Sequence, residues 1–238
     1  MVKCRLADLN IEFTSVHTAL EHYLFAYRAD FDKADVVLET TQADIEFERQ
    51  IDEEAKKTTR ENKVELTAGL RKIGEILPNF DGAVLHSCSF KVGEKGIALG
   101  AYSGTGKSTH MLLWQELLKD KFEIINGDKP LVRFVDGKLY VYGCPWAGKE
   151  NLKANVSAPL TDICEIVRSK DNHTEKMSRE EGRNLLYRQI YMPFDPMARI
   201  KTIQLIEKIA DAVTFWRISC NMELDAAETA YKAIFDIK

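Results

Sequence analysis

A short segment at residues 101–109 carries the residue types that bind phosphate groups. It matches the Walker A pattern G-x-x-x-x-G-K-[ST] except at its first position, where Ala101 replaces glycine. Gly104 and Gly106 predict a tight loop whose backbone N–H groups converge on phosphate oxygens. Lys107 adds a positive charge for the β- and γ-phosphates, and the Ser108 hydroxyl is suited to ligate Mg²⁺. The residues predicted to bind the nucleotide are Tyr102, Ser103, Gly104, Thr105, Gly106, Lys107, Ser108 and Thr109.

An acidic residue lies where a second magnesium ligand is expected. Asp128 follows the apolar run 122–125, which the pattern predicts as a strand coming directly after the helix that the loop opens. We expect this strand to lie beside the strand that precedes the loop, so that Asp128 and Ser108 share the metal ion. The alternative is that Asn126, Gly127 and Asp128 form only a polar turn.

The surrounding pattern predicts an α/β fold with a mixed β-sheet core, a P-loop and surrounding helices. Apolar runs predict strands at 35–39, 83–90, 97–100, 122–125, 131–134, 138–142, 162–169 and 213–218. Helices are predicted at 66–77, 108–118, 178–191, 195–211 and 225–235, the last three with caps at Ser178, Asp195 and Asp225. The loop thus falls between a strand and a helix, as a phosphate loop requires. We expect residues 1–65 to form an N-terminal lobe of unknown role and residues 66–238 a P-loop kinase-like domain, unless both form one continuous domain.

Composition argues against several other classes of protein. The 238 residues carry a formal net charge of −4, which is unlike a strongly basic nucleic-acid-binding chain. No window approaches the roughly 18 consecutive apolar residues of a membrane span, and residues 1–10 contain no apolar signal-peptide core. Five widely spaced cysteines predict buried, reduced thiols. We therefore expect a cytoplasmic protein that binds neither nucleic acid nor a membrane.

The residues around the loop resemble the HPr kinase/phosphorylase and phosphoenolpyruvate carboxykinase superfamily, most closely its small HPr-kinase-like members. Three features carry the resemblance: the S-G-x-G-K-[ST] loop at 103–108, His86 on a strand 21 residues before Lys107, and Asp128 shortly after the loop helix. One position departs from the family, because Gly127 stands where the first of two adjacent acids is usual.

The resemblance extends over residues 66–235, with segments 144–150 and 158–163 also similar to the small members. It implies a fold like the C-terminal part of HPr kinase and phosphoenolpyruvate carboxykinase. It also implies ATP- and Mg²⁺-dependent phosphoryl transfer to a hydroxyl, as in an HPr-kinase-like serine kinase. The implied catalytic residues are Asp128 and His86, near the acceptor hydroxyl, and Lys149, which would steady the transferring phosphoryl group. The acceptor stays open between a protein serine, a peptide and a small molecule.

Two other functions stay open beside phosphoryl transfer. A nucleotide-binding regulator without turnover is favoured by Gly127, because a missing acid puts the general base in doubt. A lyase of the phosphoenolpyruvate carboxykinase type is less favoured, because the chain is short and shows no Lys/His metal pair at recognisable spacing. The sequence does not fix the oligomeric state, and a homo-oligomer is one alternative.

Overall fold

Two β-sheets organise the computed structural model of this chain, which describes residues 1–54, 61–102 and 104–237. The smaller sheet contains β1 (Val2–Leu6), β2 (Leu9–Thr14) and β3 (Val36–Glu39) in that order. β1 and β2 are antiparallel, whereas β2 and β3 are parallel. Along β1 and β2 buried residues alternate with more exposed ones, so one face of this sheet packs on the core.

The larger sheet is mixed and leads into the predicted phosphate loop. Its strands are β4 (Gly82–Val84), β5 (Cys88–Val92), β6 (Lys95–Gly100), β7 (Phe122–Asn126), β8 (Leu131–Val135), β9 (Lys138–Tyr142), β10 (Ser157–Arg168), β11 (His173–Lys176) and β12 (Thr214–Cys220). Hydrogen-bonded neighbours follow the order β4-β8-β9-β10-β6-β5-β7, and β12 pairs with β10 and β11. The predicted α/β class with a mixed sheet is confirmed.

Within the described ranges, the α-helices are α1 (Thr18–Tyr23), α2 (Gln42–Glu54), α3 (Glu61–Ile76), α4 (Lys107–Leu118), α5 (Arg179–Gln189), α6 (Pro196–Ala212) and α7 (Leu224–Ile234). Capping chemistry sets the starts of α5 and α6 as predicted. Ser178 forms a capping box with Glu181, and Asp195 accepts a hydrogen bond from the Ala198 N–H at 2.7 Å. The cap predicted for α7 at Asp225 is wrong, because that residue lies inside the first turn.

The strand predicted at 83–90 is interrupted in the structure. β4 pairs with β8, whereas β5 pairs with β6 and β7, so the chain leaves one part of the sheet and enters another. The three residues between them donate backbone hydrogen bonds to two separate segments: Leu85 and Ser87 to Pro130 and Asp128 of the turn before β8, and His86 to Gln189 at the end of α5. This crossing segment, residues 85–87, places His86 outside the strands at the edge where β6 ends.

The predicted neighbour of β6 is also wrong, because β5 lies between β6 and β7. Both strands nevertheless pair antiparallel with β5, so β6 and β7 run in the same direction. Their carboxyl ends therefore reach the same edge of the sheet. Asp128, just after β7, still arrives beside the loop that follows β6.

The two sheets share a hydrophobic core. One buried cluster joins Leu6, Ile11 and Phe13 of the smaller sheet to Leu131 of β8 and Trp146 of the following loop. Burial of such apolar surface is the main favourable contribution to packing. The boundary predicted after residue 65 falls inside α3, and the division of the chain into two parts stays a prediction.

The structure also bears on two predictions, one about the cysteines and one about membrane-spanning segments. All five cysteines are buried and unbridged, as predicted for thiols that act as small apolar side chains. No helix of the described residues is long and apolar enough to span a membrane.

A buried carboxylate ties the N-terminal segment to α3. Glu65 is 0% exposed, and it accepts hydrogen bonds from the backbone N–H groups of Val16 and His17 at 2.7 and 3.0 Å. The Thr40 hydroxyl donates a third bond at 2.7 Å. Three donors offset the cost of burying this charge, and all three come from residues outside α3.

We expect Glu65→Ala to lower the free energy of unfolding by about 1–3 kcal/mol, because the buried Thr40 hydroxyl and the two part-buried N–H groups lose their acceptor. Urea denaturation measures this change. Glu53→Ala, at an exposed carboxylate of α2, is the control and is expected to stay within about 0.5 kcal/mol of the wild type. Equal effects of the two variants would contradict the structural role of Glu65.

Candidate functional site

The loop between β6 and α4 contains two residues in left-handed conformations. Gly104 has φ +77° and Gly106 has φ +119°, which L side chains rarely adopt, so these positions favour glycine. Gly106 directly precedes α4, and no described side chain caps this end of the helix. The first N–H groups of α4, together with the positive end of the helix dipole, are therefore available to an anion. Ser103 of the predicted loop lies outside the described residues.

A polar cavity of about 770 Å³ opens in front of this helix end. The side chains and loop residues that line it are His86, Gly104, Gly106, Lys107, Ser108, Thr109, Gly127, Asp128, Lys129, Gly148, Lys149 and Glu150. Most of the residues proposed from the sequence thus meet in one place. Tyr102 is 69% exposed and Thr105 is outside the lining, and their nucleotide-binding roles stay predictions.

Lys107 is a buried cation at the base of the cavity. Only 9% of the residue is exposed, and its Nζ lies 3.2 Å from the Ala101 carbonyl oxygen and 3.4 Å from His86 Nε2. Burial lowers the pKa of Lys107 below its ordinary value. A phosphate oxygen bound here would supply the negative charge that favours the ammonium form.

A polar turn after β7 fixes the backbone of Asp128. The buried Asn126 Oδ1 accepts hydrogen bonds from the N–H groups of Asp128 at 2.9 Å and Lys129 at 2.8 Å. Its Nδ2 donates to the Cys144 carbonyl at 3.0 Å, which holds the amide in place. The two predictions for residues 126–128, a polar turn and a magnesium ligand, are therefore compatible, because the turn places Asp128 at the cavity.

Asp128 is held in its ionised form by two neighbours. Burial raises the pKa of this carboxyl, but the hydrogen bond from His86 and the positive charge of Lys129 outweigh burial and lower the pKa to about 2. The distances are 3.3 Å from His86 Nε2 to Oδ1 and 3.0 Å from Lys129 Nζ to Oδ2. A carboxylate with such a pKa is a poor proton acceptor near neutral pH and a good ligand for a hard cation.

His86 lies between a cation and an anion. Its Nε2 is 3.4 Å from Lys107 Nζ and 3.3 Å from Asp128 Oδ1. When Nε2 carries a proton it can donate to the carboxylate, and when it does not it can accept from the ammonium. The imidazole can therefore take up a proton at Nε2 and find a stabilising partner already in place.

The donor set at the cavity fits magnesium. Ser108 and Asp128 supply hydroxyl and carboxylate oxygens, which are the ligands that Mg²⁺ prefers. No group of three or more His, Cys, Asp or Glu among the described residues could hold a metal ion by itself. These residues suit Mg²⁺ that arrives with phosphate oxygens and water as its other ligands, the usual arrangement in phosphoryl-transfer sites.

The space beside Gly127 leaves little room for an acid. Its N–H donates to the Leu152 carbonyl at 2.8 Å, and an added Cβ would lie 3.2 Å from both that oxygen and Leu152 Cβ. Glycine at position 127 therefore has a local cause, because the segment after Gly148 packs over this position.

Sequence reasoning missed three residues near the cavity. Lys129 pairs with Asp128, and its position directly after that acid was an available signal. Glu150 also lines the cavity. Cys88 donates through Sγ to the Gly127 carbonyl at 3.0 Å and lies 3.7 Å from Ser108 Oγ. Nothing in the sequence indicated this thiol, because it meets Gly127 only through the pairing of β5 with β7.

Comparison with known proteins adds little to this geometry. No protein-family model matches the sequence, and no curated protein is detectably similar to it. Among solved structures, the chain is similar to the Hpr(Ser) kinase/phosphatase from Coxiella burnetii, with 8% sequence identity and a TM-score of 0.36. The match covers 65% of this chain and 97% of that one. So loose a likeness carries no argument about activity, and the resemblance to that family stays a prediction.

Gly148 offers a test of how tightly Asp128 is held. Its φ is +74°, and an added Cβ would lie 3.0 Å from Asp128 Cβ. Gly137 has a similar φ of +77° with nothing within 4 Å of an added Cβ, so it isolates the backbone strain alone.

We expect Gly137→Ala to lower the free energy of unfolding by about 1–2 kcal/mol, and Gly148→Ala by about 1 kcal/mol more. Urea denaturation of the two variants measures the difference. Equal losses would show that Asp128 moves away freely and is not fixed by its neighbours.

Proposed function

We propose that this chain binds a nucleoside triphosphate, ATP being the expected one, together with Mg²⁺, and transfers the terminal phosphoryl group to a hydroxyl. The observation that carries the proposal is the meeting of three features in one cavity: buried Lys107, the uncapped start of α4, and ionised Asp128. The first two attract phosphate, and the third attracts the cation that accompanies it.

The charge and size of the cavity suit a triphosphate. Lys107, Lys129 and Lys149 surround it, and Asp128 and Glu150 are its acids. A volume of about 770 Å³ lies within the range of small-molecule sites. The phosphates would lie against the N–H groups of 104–109, with Lys107 beside the β- and γ-phosphates. Ser108 and Asp128 would hold Mg²⁺, which when bound neutralises charge on the phosphate oxygens.

In the transfer step, the acceptor oxygen forms a bond to the γ-phosphorus while the bond from that phosphorus to the β-bridging oxygen breaks. The nucleoside diphosphate leaves, and the hydroxyl proton passes to His86 Nε2. We assign this proton to the form of His86 that carries no proton at Nε2, because the Asp128 carboxylate is paired with Lys129 and is the proposed Mg²⁺ ligand. Asp128 Oδ1, 3.3 Å away, stabilises the imidazolium that results. Lys149, exposed at the rim, would contact the moving phosphoryl group.

The second candidate function is nucleotide binding without turnover. Two observations favour it. Asp128 is already paired with His86 and Lys129, and the crowding at Gly127 disfavours a further acid. The two candidates share the nucleotide site and differ only in whether a product forms.

We expect Lys107→Ala to weaken the binding of ATP·Mg²⁺ at least about 30-fold, because a buried charge-assisted contact is lost. Isothermal titration calorimetry measures the affinity. Lys121→Ala, at an exposed lysine beyond the end of α4, removes the same charge away from the cavity and should bind as the wild type does. Equal heats of ATP·Mg²⁺ binding to the wild type and to Lys107→Ala would contradict the proposal.

A turnover assay distinguishes phosphoryl transfer from nucleotide binding without turnover. With saturating ATP·Mg²⁺ and a panel of serine-containing and small-molecule acceptors, we expect His86→Ala to slow phosphoryl transfer by about 10²-fold or more. Its affinity for ATP should change much less, since His86 acts on the proton of the acceptor. Tight ATP binding by the wild type with no phosphorylated product from any acceptor would favour the regulator.

A further inference from the structure

An arginine outside the polar cavity holds the loop that we propose for phosphate binding. Arg168 is an exposed residue at the carboxyl end of β10, and its guanidinium donates to the carbonyl oxygens of Gly104 and Thr105, the latter at 3.2 Å. Hydrogen bonds from an ionised donor are stronger than neutral ones. Arg168 is not among the described residues that line the cavity, so it contacts the loop from outside the cavity.

The pairing of the strands brings this arginine to the loop. β10 and β6 are parallel neighbours, and Glu165 of β10 lies opposite Gly100, the last residue of β6. The carboxyl ends of the two strands therefore reach the same edge of the sheet. Arg168, three residues beyond Glu165, lies beside the loop that follows β6. Its location is set by the sheet and not by the loop.

Other contacts fix the two ends of the loop. The Arg188 guanidinium lies 5.6 Å from the centre of the Tyr102 ring, and it pairs with Glu165 of β10 at 2.6 Å. At the other end, Lys107 is the first residue of α4. The middle of the loop is the part that the bonds from Arg168 hold.

These bonds determine which way a peptide group of the loop points. In a planar trans peptide the C=O and the N–H point in opposite directions. The carbonyl of Thr105 is held by Arg168, so the Gly106 N–H of the same peptide points the other way, and Gly106 lines the cavity. The Thr105 N–H, which shares a peptide with the Gly104 carbonyl, donates to the Tyr102 carbonyl oxygen at 3.2 Å.

The glycines of the loop do not fix this orientation by themselves. Glycine adopts positive and negative φ about equally well, so a peptide beside Gly106 can turn over at little cost. Turned over, the peptide would present its carbonyl oxygen to a bound phosphate and repel it. An anchor on the Thr105 carbonyl disfavours this state.

We infer that Arg168 is a positioning residue for the phosphate site, which holds the peptide between Thr105 and Gly106 with its N–H toward the cavity before any nucleotide binds. Its contribution to nucleotide binding rests on the proposed function. The alternative is an effect of charge alone, because a guanidinium is always ionised and attracts phosphate over a distance.

The order of the loop is tested first, without any ligand, by ¹⁵N relaxation of the full chain. We expect Arg168→Ala to add motion at Thr105 and Gly106, seen as order parameters that fall from about 0.85 toward about 0.6 or as new exchange contributions. Arg199→Ala is the matched control and should leave both residues unchanged. Arg199 is also exposed, and its Nε donates to the Pro193 carbonyl at 2.9 Å, away from the cavity.

Phosphate binding is then measured by calorimetry with tripolyphosphate and with ATP, each with Mg²⁺. We expect Arg168→Ala to weaken both about tenfold, because both ligands use the N–H groups of the loop, and Arg199→Ala to bind as the wild type does. Titrations at about 0.1 M and about 1 M NaCl separate positioning from charge, because at 1 M salt charges interact over only about 3 Å. A loss caused by positioning should persist at the higher salt.

Three results would overturn the inference: unchanged motion of the loop in Arg168→Ala, affinities equal to those of the wild type, or a loss of affinity that disappears at about 1 M NaCl. Failure of the wild type to bind either ligand, with loop motion still increased by Arg168→Ala, would instead overturn the proposed function. The ordering of the loop by Arg168 would then stand without it.

Discussion

The buried ammonium group of Lys107 is the constraint on which the site depends. It is desolvated at the base of the cavity, and within the described part of the chain its hydrogen-bond partners, the Ala101 carbonyl oxygen and His86 Nε2, carry no formal negative charge. The carboxylate of Asp128 is already engaged by His86 and Lys129. A bound polyanion is the group that would complete this arrangement. The left-handed glycines and the uncapped start of α4 present N–H groups to the same space.

The order of the strands determines where Asp128, the acidic residue of the site, is located. β5 lies between β6 and β7 and runs against both, so their carboxyl ends reach one edge although the strands are not neighbours. The loop that follows β6 and the turn that follows β7 therefore face each other. Asn126 then fixes the turn, and Asp128 takes a defined place opposite Lys107. The strand order thus determines the location of Asp128, and the local turn determines its orientation.

Features governed by local chemistry were predictable from the sequence. Gly104 and Gly106 indicated the loop conformation, Ser178 and Asp195 indicated two helix starts, and Asp128 stood out as an acid after an apolar run. The strand order was not predictable, because it depends on the pairing of β5 with both β6 and β7. The break at residues 85–87 was not predictable either, because it depends on hydrogen bonds to Pro130, Gln189 and Asp128, which are distant in sequence.

The crossing segment, residues 85–87, is held by backbone hydrogen bonds on both sides. The backbone N–H of His86 donates to the carbonyl of Gln189 at 2.7 Å, and that of Ser87 donates to the carbonyl of Asp128 at 3.0 Å. One side of this segment therefore holds the end of α5, and the other side holds the turn after β7. Because both bonds are formed by the backbone, they fix the position of the segment that carries the His86 imidazole. Phosphoryl transfer depends chiefly on positioning and charge, so for the proposed function this fixed segment can matter more than an acid at position 127 would.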